Sequence, residues 1–250
     1  MNFTILHFDT LNSTNTEAIN QAKLGADEGV CIMARQQTAG RGRHGRTWVS
    51  DKDSGLYFSI VLRPKLKTRF LPLITLMAGV AVHDTLFEIG MKPDIKWVND
   101  VLINGKKICG ILAETVDTTK GLAVIVGIGI NLKSSNFPPE IADIATSIKA
   151  ETGQVRTGDE ISAILTRFHG YFYDILSDEN GPETIRDALC RRSTYANGKS
   201  VRVVLENERI TGVTDGLEEN GALRLKTLDG GVKIIQAGDV EQLRQFEKNK

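Results

Sequence analysis

Apolar and polar positions divide the chain into a first part of interleaved helices and strands and a second part of short strands. In the first part, alternating or continuous apolar runs predict strands at 2–9, 29–35, 56–62 and 95–98, and a hairpin of 108–116 with 122–130. Apolar residues at helical spacing predict helices at 14–24 and 71–89 and three helical stretches within 138–190. Interleaved elements of this kind indicate an α+β domain.

The first predicted helix has a recognisable start. Thr14 and Glu17 have the spacing of a capping box, with Thr14 as the N-cap, and Gly25 supplies a C-cap. Ser13 and Asn15 flank the cap, and their small hydroxyl and amide groups suit a neutral polar ring such as an amide or urea. A plain helix cap is the alternative interpretation, and it explains Thr14 better than its two neighbours.

The pattern changes near residue 195, where short alternating strands are separated by Asn-Gly and Asp-Gly pairs that favour tight turns. Residues 197–245 therefore predict a small all-β barrel of about five strands. We expect a domain boundary near 192–197, which gives domains of residues 1–194 and 195–250.

Composition excludes several classes of protein. The 250 residues carry 31 Lys+Arg and 31 Asp+Glu, so the net charge is +0 and a strongly basic nucleic-acid binder is disfavoured. Neither an apolar run of about 18 residues nor the pattern of a signal peptide is found, so we expect no membrane association and a cytoplasmic location. The cysteines are odd in number and widely spaced, which predicts neither a disulfide framework nor a zinc site.

A loop rich in glycine and arginine, residues 36–48, is the first segment with unusual chemistry. Four arginines lie in or beside it with no acidic residue among them: Arg35, Arg41, Arg43 and Arg46. Guanidinium groups bind phosphate and carboxylate through paired hydrogen bonds, and the glycines let the backbone approach a ligand. Anion binding competes here with two alternatives, a mobile surface loop and a nucleic-acid contact.

Two further segments could meet an anionic ligand. Asn99 and Asp100 follow the strand 95–98, where Asp100 could hold Mg²⁺ through oxygen, although an Asn-Asp turn is the commoner explanation. Lys107 leads into a nearly continuous apolar run, so it either reaches solvent from an edge strand or meets an anion.

Gly127 and Gly129 lie two residues apart in an apolar strand and so share one face of it. With Gly110 on the neighbouring run they would form a flat shelf for a ligand, and Asn131 at the strand end supplies a donor and an acceptor. Tight packing of a helix on the sheet is an equally good explanation of these glycines.

Taken in order, the segments STN, QTAGRGRHGRTW, KWVND, KKICGILAE and VGIGINL resemble the motifs of the biotin–protein ligases. The resemblance covers residues 3–192 as the catalytic domain and extends to a tail, with NGALRLKT and IQAGDV, similar to the family's SH3-like domain. The sequence departs from the family at His44, where arginine is usual, and at Val98, where proline is usual.

The resemblance implies a mixed sheet flanked by helices, similar to class II synthetases, followed by the small SH3-like barrel. It also implies the reaction: biotin and Mg·ATP give biotinoyl-5′-AMP, and a lysine of a biotin carboxyl carrier domain then takes up the biotin. A covalent enzyme intermediate is not expected. Because residue 3 already belongs to the matching region, we expect a form without the repressor's DNA-binding arm, and hence no DNA partner; a homodimer is compatible with the family.

The resemblance assigns roles to individual residues. The catalytic cations are Lys107, Arg41 and Arg43. The residues that match biotin contacts are Ser13, Thr14, Asn15, Gln37, Arg41, Gly42, Arg43, Lys107 and Gly110. Those on the ATP and adenylate side are Arg43, Trp48, Asn99, Asp100, Lys107 and Asn131, with Asp100 as the ligand of Mg²⁺.

Two other functions compete with this prediction. A lipoate–protein ligase shares the fold and the adenylation chemistry, but its substrate has no ureido ring and would not need the STN group. A biotin-responsive regulator that binds nucleic acid without catalysis is supported only by the basic cluster at 41–46.

Overall fold

The computed structural model describes residues 1–133, 137–205 and 208–242. The last residues of the predicted barrel and of the second predicted domain, 243–250, lie outside the described part of the chain. Most of the polar segment that follows the predicted strand 122–130 also lies outside it, at 134–136.

The described residues form six helices and twelve strands. The strands are β1 Thr4–Leu11, β2 Val30–Gln37, β3 Gly55–Leu62, β4 Pro93–Lys96, β5 Asp100–Ile103, β6 Lys106–Thr118, β7 Gly121–Asn131, β8 Asn197–Val204, β9 Arg209–Leu217, β10 Leu223–Thr227, β11 Val232–Ile235 and β12 Asp239–Gln242. The helices are α1 Thr14–Lys23, α2 Leu73–Glu88, α3 Pro139–Ala142, α4 Ile148–Thr152, α5 Gly158–Leu176 and α6 Gly181–Cys190.

Within the described chain, the first seven strands form one mixed sheet in the order β1-β2-β3-β7-β6-β5-β4. β1 pairs with β2 in parallel, and every other neighbouring pair is antiparallel. The predicted hairpin is present and longer than expected, because β6 and β7 pair continuously from Thr118 and Gly121 back to Cys109 and Ile130. Helices flank the sheet, which confirms the predicted α+β class.

Each face of this sheet has its own apolar cluster. On one face, Ala18 and Ala22 of α1 pack against Ile32, Val61 and Ile125. On the other face α2 packs between the sheet and the helices α5 and α6. Because both faces are covered, all eight residues of β3 are buried, as its continuous apolar sequence requires.

The helix α2 and the short helical turn before it are apolar enough to cross a membrane by length and composition alone, over Thr68–Glu88. In this fold the segment packs inside the protein, where 61% of its apolar window is buried. The segment is therefore accounted for as the central helix of the core.

The remaining five described strands form an antiparallel second sheet in the order β11-β10-β9-β8-β12. This sheet is the small all-β unit predicted from the alternating pattern. It is attached to the first part of the chain at Gly221, whose carbonyl accepts a 2.9 Å hydrogen bond from Trp97 Nε1. A Cβ on Gly221 would lie 2.5 Å from Leu76 Cδ1, so the two parts are in close contact there.

Three local predictions are wrong. Ser13, and not Thr14, is the N-cap of α1, and the side chain of Thr14 turns away to bond Gln37. The strand predicted at 95–98 is Pro93–Lys96, because a turn at 97–99 connects it to β5. Residues 138–190, all of them described, contain four helices and not three, since two are only one turn long.

His169 of α5 predicts an acid sensitivity of the fold. Its side chain is completely buried, and neither ring nitrogen has a hydrogen-bond partner among the described residues. Burial lowers the pKa of His169 to about 4. Because the folded-state pKa lies below the ordinary value of about 6.5, its stabilising contribution is complete above pH 6.5 and is lost as the pH falls towards 4.

We expect the native protein to lose about 2 kcal/mol more unfolding free energy between pH 7 and pH 5 than a His169→Leu variant. Urea unfolding of the two proteins at both pH values measures this difference. Equal losses of unfolding free energy in the two proteins would contradict the role of buried His169 in the acid sensitivity.

Candidate active site

A cavity of about 770 Å³ opens on the face of the main sheet that also carries α1. It brings together every residue that the sequence singled out for binding or catalysis: Ser13, Thr14, Asn15, Gln37, Arg41, Gly42, Arg43, Trp48, Asn99, Asp100, Lys107, Gly110 and Asn131. The size is suited to a ligand larger than a single small metabolite.

The floor of the cavity is built on alternate residues of β7. Ile125 packs under α1, and Gly127, Gly129 and Asn131 follow on the same face. The sequence analysis predicted that these glycines form an open shelf for a ligand. In the structure, side chains of the protein itself occupy the space above them. A Cβ on Gly127 would lie 2.0 Å from Asn15 Oδ1, and one on Gly129 would lie 2.5 Å from the indole of Trp48.

The indole of Trp48 covers two glycines at once. Gly110 and Gly129 are direct partners across β6 and β7, and a Cβ on Gly110 would lie 2.9 Å from Trp48 Cζ3. The backbone there lets the aromatic ring lie close to the sheet. Trp48 Nε1 is buried against Gly129 and makes no hydrogen bond with the described residues.

A buried polar network occupies the end of the cavity beside α1. Gln37 Oε1 accepts hydrogen bonds from the backbone N–H of Thr14, at 2.8 Å, and from its hydroxyl, at 3.1 Å. Ser59 Oγ lies 2.8 Å from Thr14 Oγ1 and 2.6 Å from Asn15 Oδ1. These neutral donors and acceptors are fixed at close range, which is what recognition of an uncharged polar ring requires.

The glycine/arginine loop folds back on itself over the cavity. Gly42 N donates to Arg46 O at 2.6 Å, and Trp48 N donates to Gly40 O at 2.9 Å. Arg41 binds Glu114 through two parallel hydrogen bonds of 2.9 and 2.8 Å. The loop is thereby connected to β6 through a bidentate ion pair.

Arg43 points towards the opposite side of the cavity. Its Nη1 donates to Asn99 Oδ1 at 3.2 Å and to Gly238 O at 3.3 Å. Burial lowers the pKa of Arg43, and the nearby carboxylates of Asp239 and Asp100 act against that change. Arginine remains charged under such conditions. Arg43 is therefore a half-buried cation that faces the cavity.

A second positively charged cluster is formed by Lys96 at the end of β4 and Lys107 near the start of β6, with Asp100 of β5 between them. Lys107 Nζ is 2.6 Å from Asp100 Oδ1, and Lys96 Nζ is 3.2 Å from Asp100 Oδ2. Burial alone would raise the pKa of Asp100, but the two lysines hold it below its ordinary value. Lys107 Nζ also lies 5.4 Å from the centroid of the Trp48 ring. Two positive charges and one negative charge thus leave this corner net positive.

These motifs and their arrangement agree with the comparisons with known proteins. Residues 7–131 match the model of the biotin/lipoate A/B protein ligase family, and residues 197–242 match the biotin protein ligase C-terminal domain. This chain belongs to the biotin protein ligase family.

Its relatives match over nearly the whole chain. The bifunctional ligase/repressor BirA of Bacillus subtilis is 36% identical over 95% of this chain and 73% of its own length. A biotin–[acetyl-CoA-carboxylase] ligase of Paracoccus denitrificans is 32% identical over 92% of this chain and 96% of its own. Among solved structures, a biotin protein ligase from Aquifex aeolicus in complex with biotin and ATP superimposes with a TM-score of 0.82, at 30% identity, covering 96% and 99% of the two chains.

The sequence analysis predicted Asp100 as the ligand of Mg²⁺. Its Oδ1 is buried and accepts no hydrogen bond of regular geometry from a described residue, although Lys107 Nζ is near. No group of three His, Cys, Asp or Glu side chains able to hold a metal occurs among the described residues. Asp100 is a single carboxylate that contacts two lysines, and its assignment as the ligand of Mg²⁺ stays a prediction.

The sequence analysis missed four residues that line the cavity or contact its lining residues: Lys96, Glu114, Ser59 and Asp239. Lys96 pairs with Asp100, Glu114 joins Arg41 to Asn15, and Ser59 connects Thr14 with Asn15. Ser59 could have been recognised from the sequence, because it is the one polar residue in the apolar run LYFSIVL. Asp239 could not have been recognised from the sequence, since its role depends on the contact between the second sheet and the glycine/arginine loop.

Proposed function

We propose that this chain is a biotin–protein ligase, which activates biotin with Mg·ATP to biotinoyl-5′-AMP and then transfers biotin to a lysine of a carrier domain. The observation that carries the proposal is one cavity with a neutral polar network at one end and the Lys107, Lys96 and Arg43 cations at the other. The first end suits a ureido ring, and the second suits a carboxylate and phosphates.

In the first step, a carboxylate oxygen of biotin attacks the α-phosphorus of ATP. The new P–O bond forms as the bond to the β-phosphate breaks, and pyrophosphate leaves with the electron pair. Two anions must approach each other, so positive charge at the point of attack lowers the barrier. Lys107 and Arg43 supply that charge, and Asp100 would hold the Mg²⁺ that accompanies ATP, which would add further positive charge.

In the second step, the neutral amine of the carrier lysine attacks the acyl carbon of the mixed anhydride. The C–N bond forms, the bond to the AMP oxygen breaks, and the amine gives up a proton. A side-chain nucleophile is not required for either step. The name of the Paracoccus denitrificans relative, a biotin–[acetyl-CoA-carboxylase] ligase, supports a carboxylase carrier domain as the acceptor.

The individual residue roles are part of the proposal. Thr14, Asn15 and Gln37 with Ser13 hold the ring, Arg41 with Gly42 covers it, and Gly110 supports the indole of Trp48. Trp48, Asn99, Asp100 and Asn131 face the nucleotide. The support is that these residues line one cavity.

Pyrophosphate release with Mg·ATP, measured separately with biotin and with lipoate, tests the proposal. We expect release only with biotin, and mass analysis of the product should give biotinoyl-AMP. Release with lipoate alone would identify the lipoate branch of the biotin/lipoate A/B family, and release with neither would refute ligase activity. Duplex DNA in a band-shift at stated salt tests the nucleic-acid alternative.

The location and the domain division are proposals of the same kind. All three cysteines, Cys31, Cys109 and Cys190, are free thiols, which supports a reducing compartment such as the cytoplasm. The division into residues 1–194 and 195–250 is supported by the separate sheet that begins at Asn197.

We expect biotin to protect the glycine/arginine loop from protease. Arg41, Arg43 and Arg46 are potential trypsin sites, and Arg41 and Arg46 are exposed. A ligand that fills the cavity under the loop adds contacts and slows its local opening. Tryptic cleavage after these arginines, followed by mass spectrometry with and without biotin, measures the effect, and equal rates would contradict it.

A further inference from the structure

We propose that Asp239 of the second sheet is a positioning residue for the glycine/arginine loop, which it holds over the cavity through Arg46. This inference rests on the proposed ligase function for its catalytic meaning, but the contact itself does not depend on that function. It assigns the second sheet a specific part in the reaction of the first domain.

Two contacts join the loop to one short segment of the second sheet. Arg46 Nη2 lies 2.5 Å from Asp239 Oδ2, and Arg43 Nη1 donates to the carbonyl of Gly238 at 3.3 Å. Asp239 keeps only 25% of its side-chain surface exposed, whereas Arg46 keeps 69%. The carboxylate is therefore the more buried partner, and the arginine is the more exposed one.

The segment that carries Asp239 is well anchored. Asp239 begins β12 and is paired in register with Val204 of β8. A Cβ on Gly238 would lie 2.8 Å from Leu205 Cδ2, so the chain before Asp239 packs closely on its own sheet. The sheet is in turn attached to Trp97 through the carbonyl of Gly221, at a point that does not involve the loop.

The loop is thus held at two ends by two different sheets. Arg41 is bound to Glu114 of the main sheet, and Arg46 is bound to Asp239 of the second sheet. Arg43, the cation that faces the cavity, lies between these two attachments. Release of the Asp239 end leaves Arg43 less well placed, because its own contacts at 3.2 and 3.3 Å are long.

Tryptic cleavage of the Arg43–His44 bond in the full chain, without biotin or ATP, tests the contact directly. We expect Asp239→Ala and Arg46→Ala each to raise the cleavage rate about three- to fivefold, which is the range of a partly exposed ion pair. The double variant should be cleaved no faster than either single variant, because both changes remove the same interaction. In steady-state assays the two single variants should raise the KM for biotin by a similar factor.

Asp215→Ala is the matched control. Asp215 is a carboxylate of the same sheet, and its ionic partners Arg224 and Lys226 both lie within that sheet. We expect this variant to be cleaved at the native rate. An unchanged rate in Asp239→Ala, or effects of the two single variants that multiply in the double variant, would overturn the positioning role. Because this assay needs no ligase activity, its result is separate from that of the pyrophosphate assay.

Discussion

Replacement of Lys107 by alanine is expected to reduce adenylate formation by about a hundred- to a thousandfold and to leave the fold intact. Removal of one fixed donor that stabilises charge in a transition state typically has this effect, about 2.7–4 kcal/mol. Lys107 is only half-buried, and its Nζ contacts Asp100 at the cavity. The measurement is biotin-dependent pyrophosphate release, with circular dichroism to verify folding.

Lys106→Ala is the control for this prediction. Lys106 is the neighbouring residue of β6, it is exposed, and it has the same charge. Its loss should change the rate by less than twofold, because the Lys106 side chain is exposed and does not line the cavity. Normal turnover in Lys107→Ala would refute the role given to Lys107.

Replacement of Gly127 by alanine is expected to weaken biotin binding by about 2–4 kcal/mol, or roughly thirty- to a thousandfold. The added Cβ would lie 2.0 Å from Asn15 Oδ1, so Asn15 has to move. Movement of Asn15 breaks its contacts with Ser59 and Glu114, and through Ser59 it disturbs Thr14. Titration calorimetry with biotin measures the loss.

Gly79→Ala provides the comparison. Gly79 lies within α2, and a Cβ there would meet Ile95 Cγ2 at 3.6 Å, which is ordinary contact. Alanine is the better helix former, so this variant should bind biotin normally and be at least as stable. If Gly127→Ala binds biotin as tightly as Gly79→Ala does, the network beside α1 is not the ring site.

The sequence predicted most of the main elements because apolar periodicity is a local property. The strand β3 illustrates this, since a strand buried on both faces has a continuous apolar sequence. The hairpin of β6 and β7 is likewise visible in the sequence as two neighbouring apolar runs. The start of α1 was predicted at the correct residue, but its N-cap was assigned to Thr14 because the sequence does not show that Thr14 bonds a tertiary partner, Gln37. A capping pattern cannot reveal a partner 23 residues away.

The sequence predicted residues that line one cavity in the structure, but it did not predict the contacts among them. Motif residues such as Lys107 and Arg43 were identifiable because glycines and unpaired charges stand out in an apolar context. The use of Gly110 and Gly129 to hold Trp48, and the pairing of Arg46 with Asp239, depend on residues far apart in the chain. Such contacts arise from the topology of the sheets, which the local pattern does not contain.

The ion pairs around the cavity have a consequence for selectivity among anions. Arg41, Arg46 and Lys107 each have a carboxylate at contact distance: Glu114, Asp239 and Asp100. A small free anion has to exchange one ion pair for another, so its net gain in free energy is close to zero. A ligand that also fills the apolar and neutral parts of the cavity gains binding energy that inorganic phosphate or sulfate lacks. We therefore expect abundant cellular salts to compete poorly for this pocket.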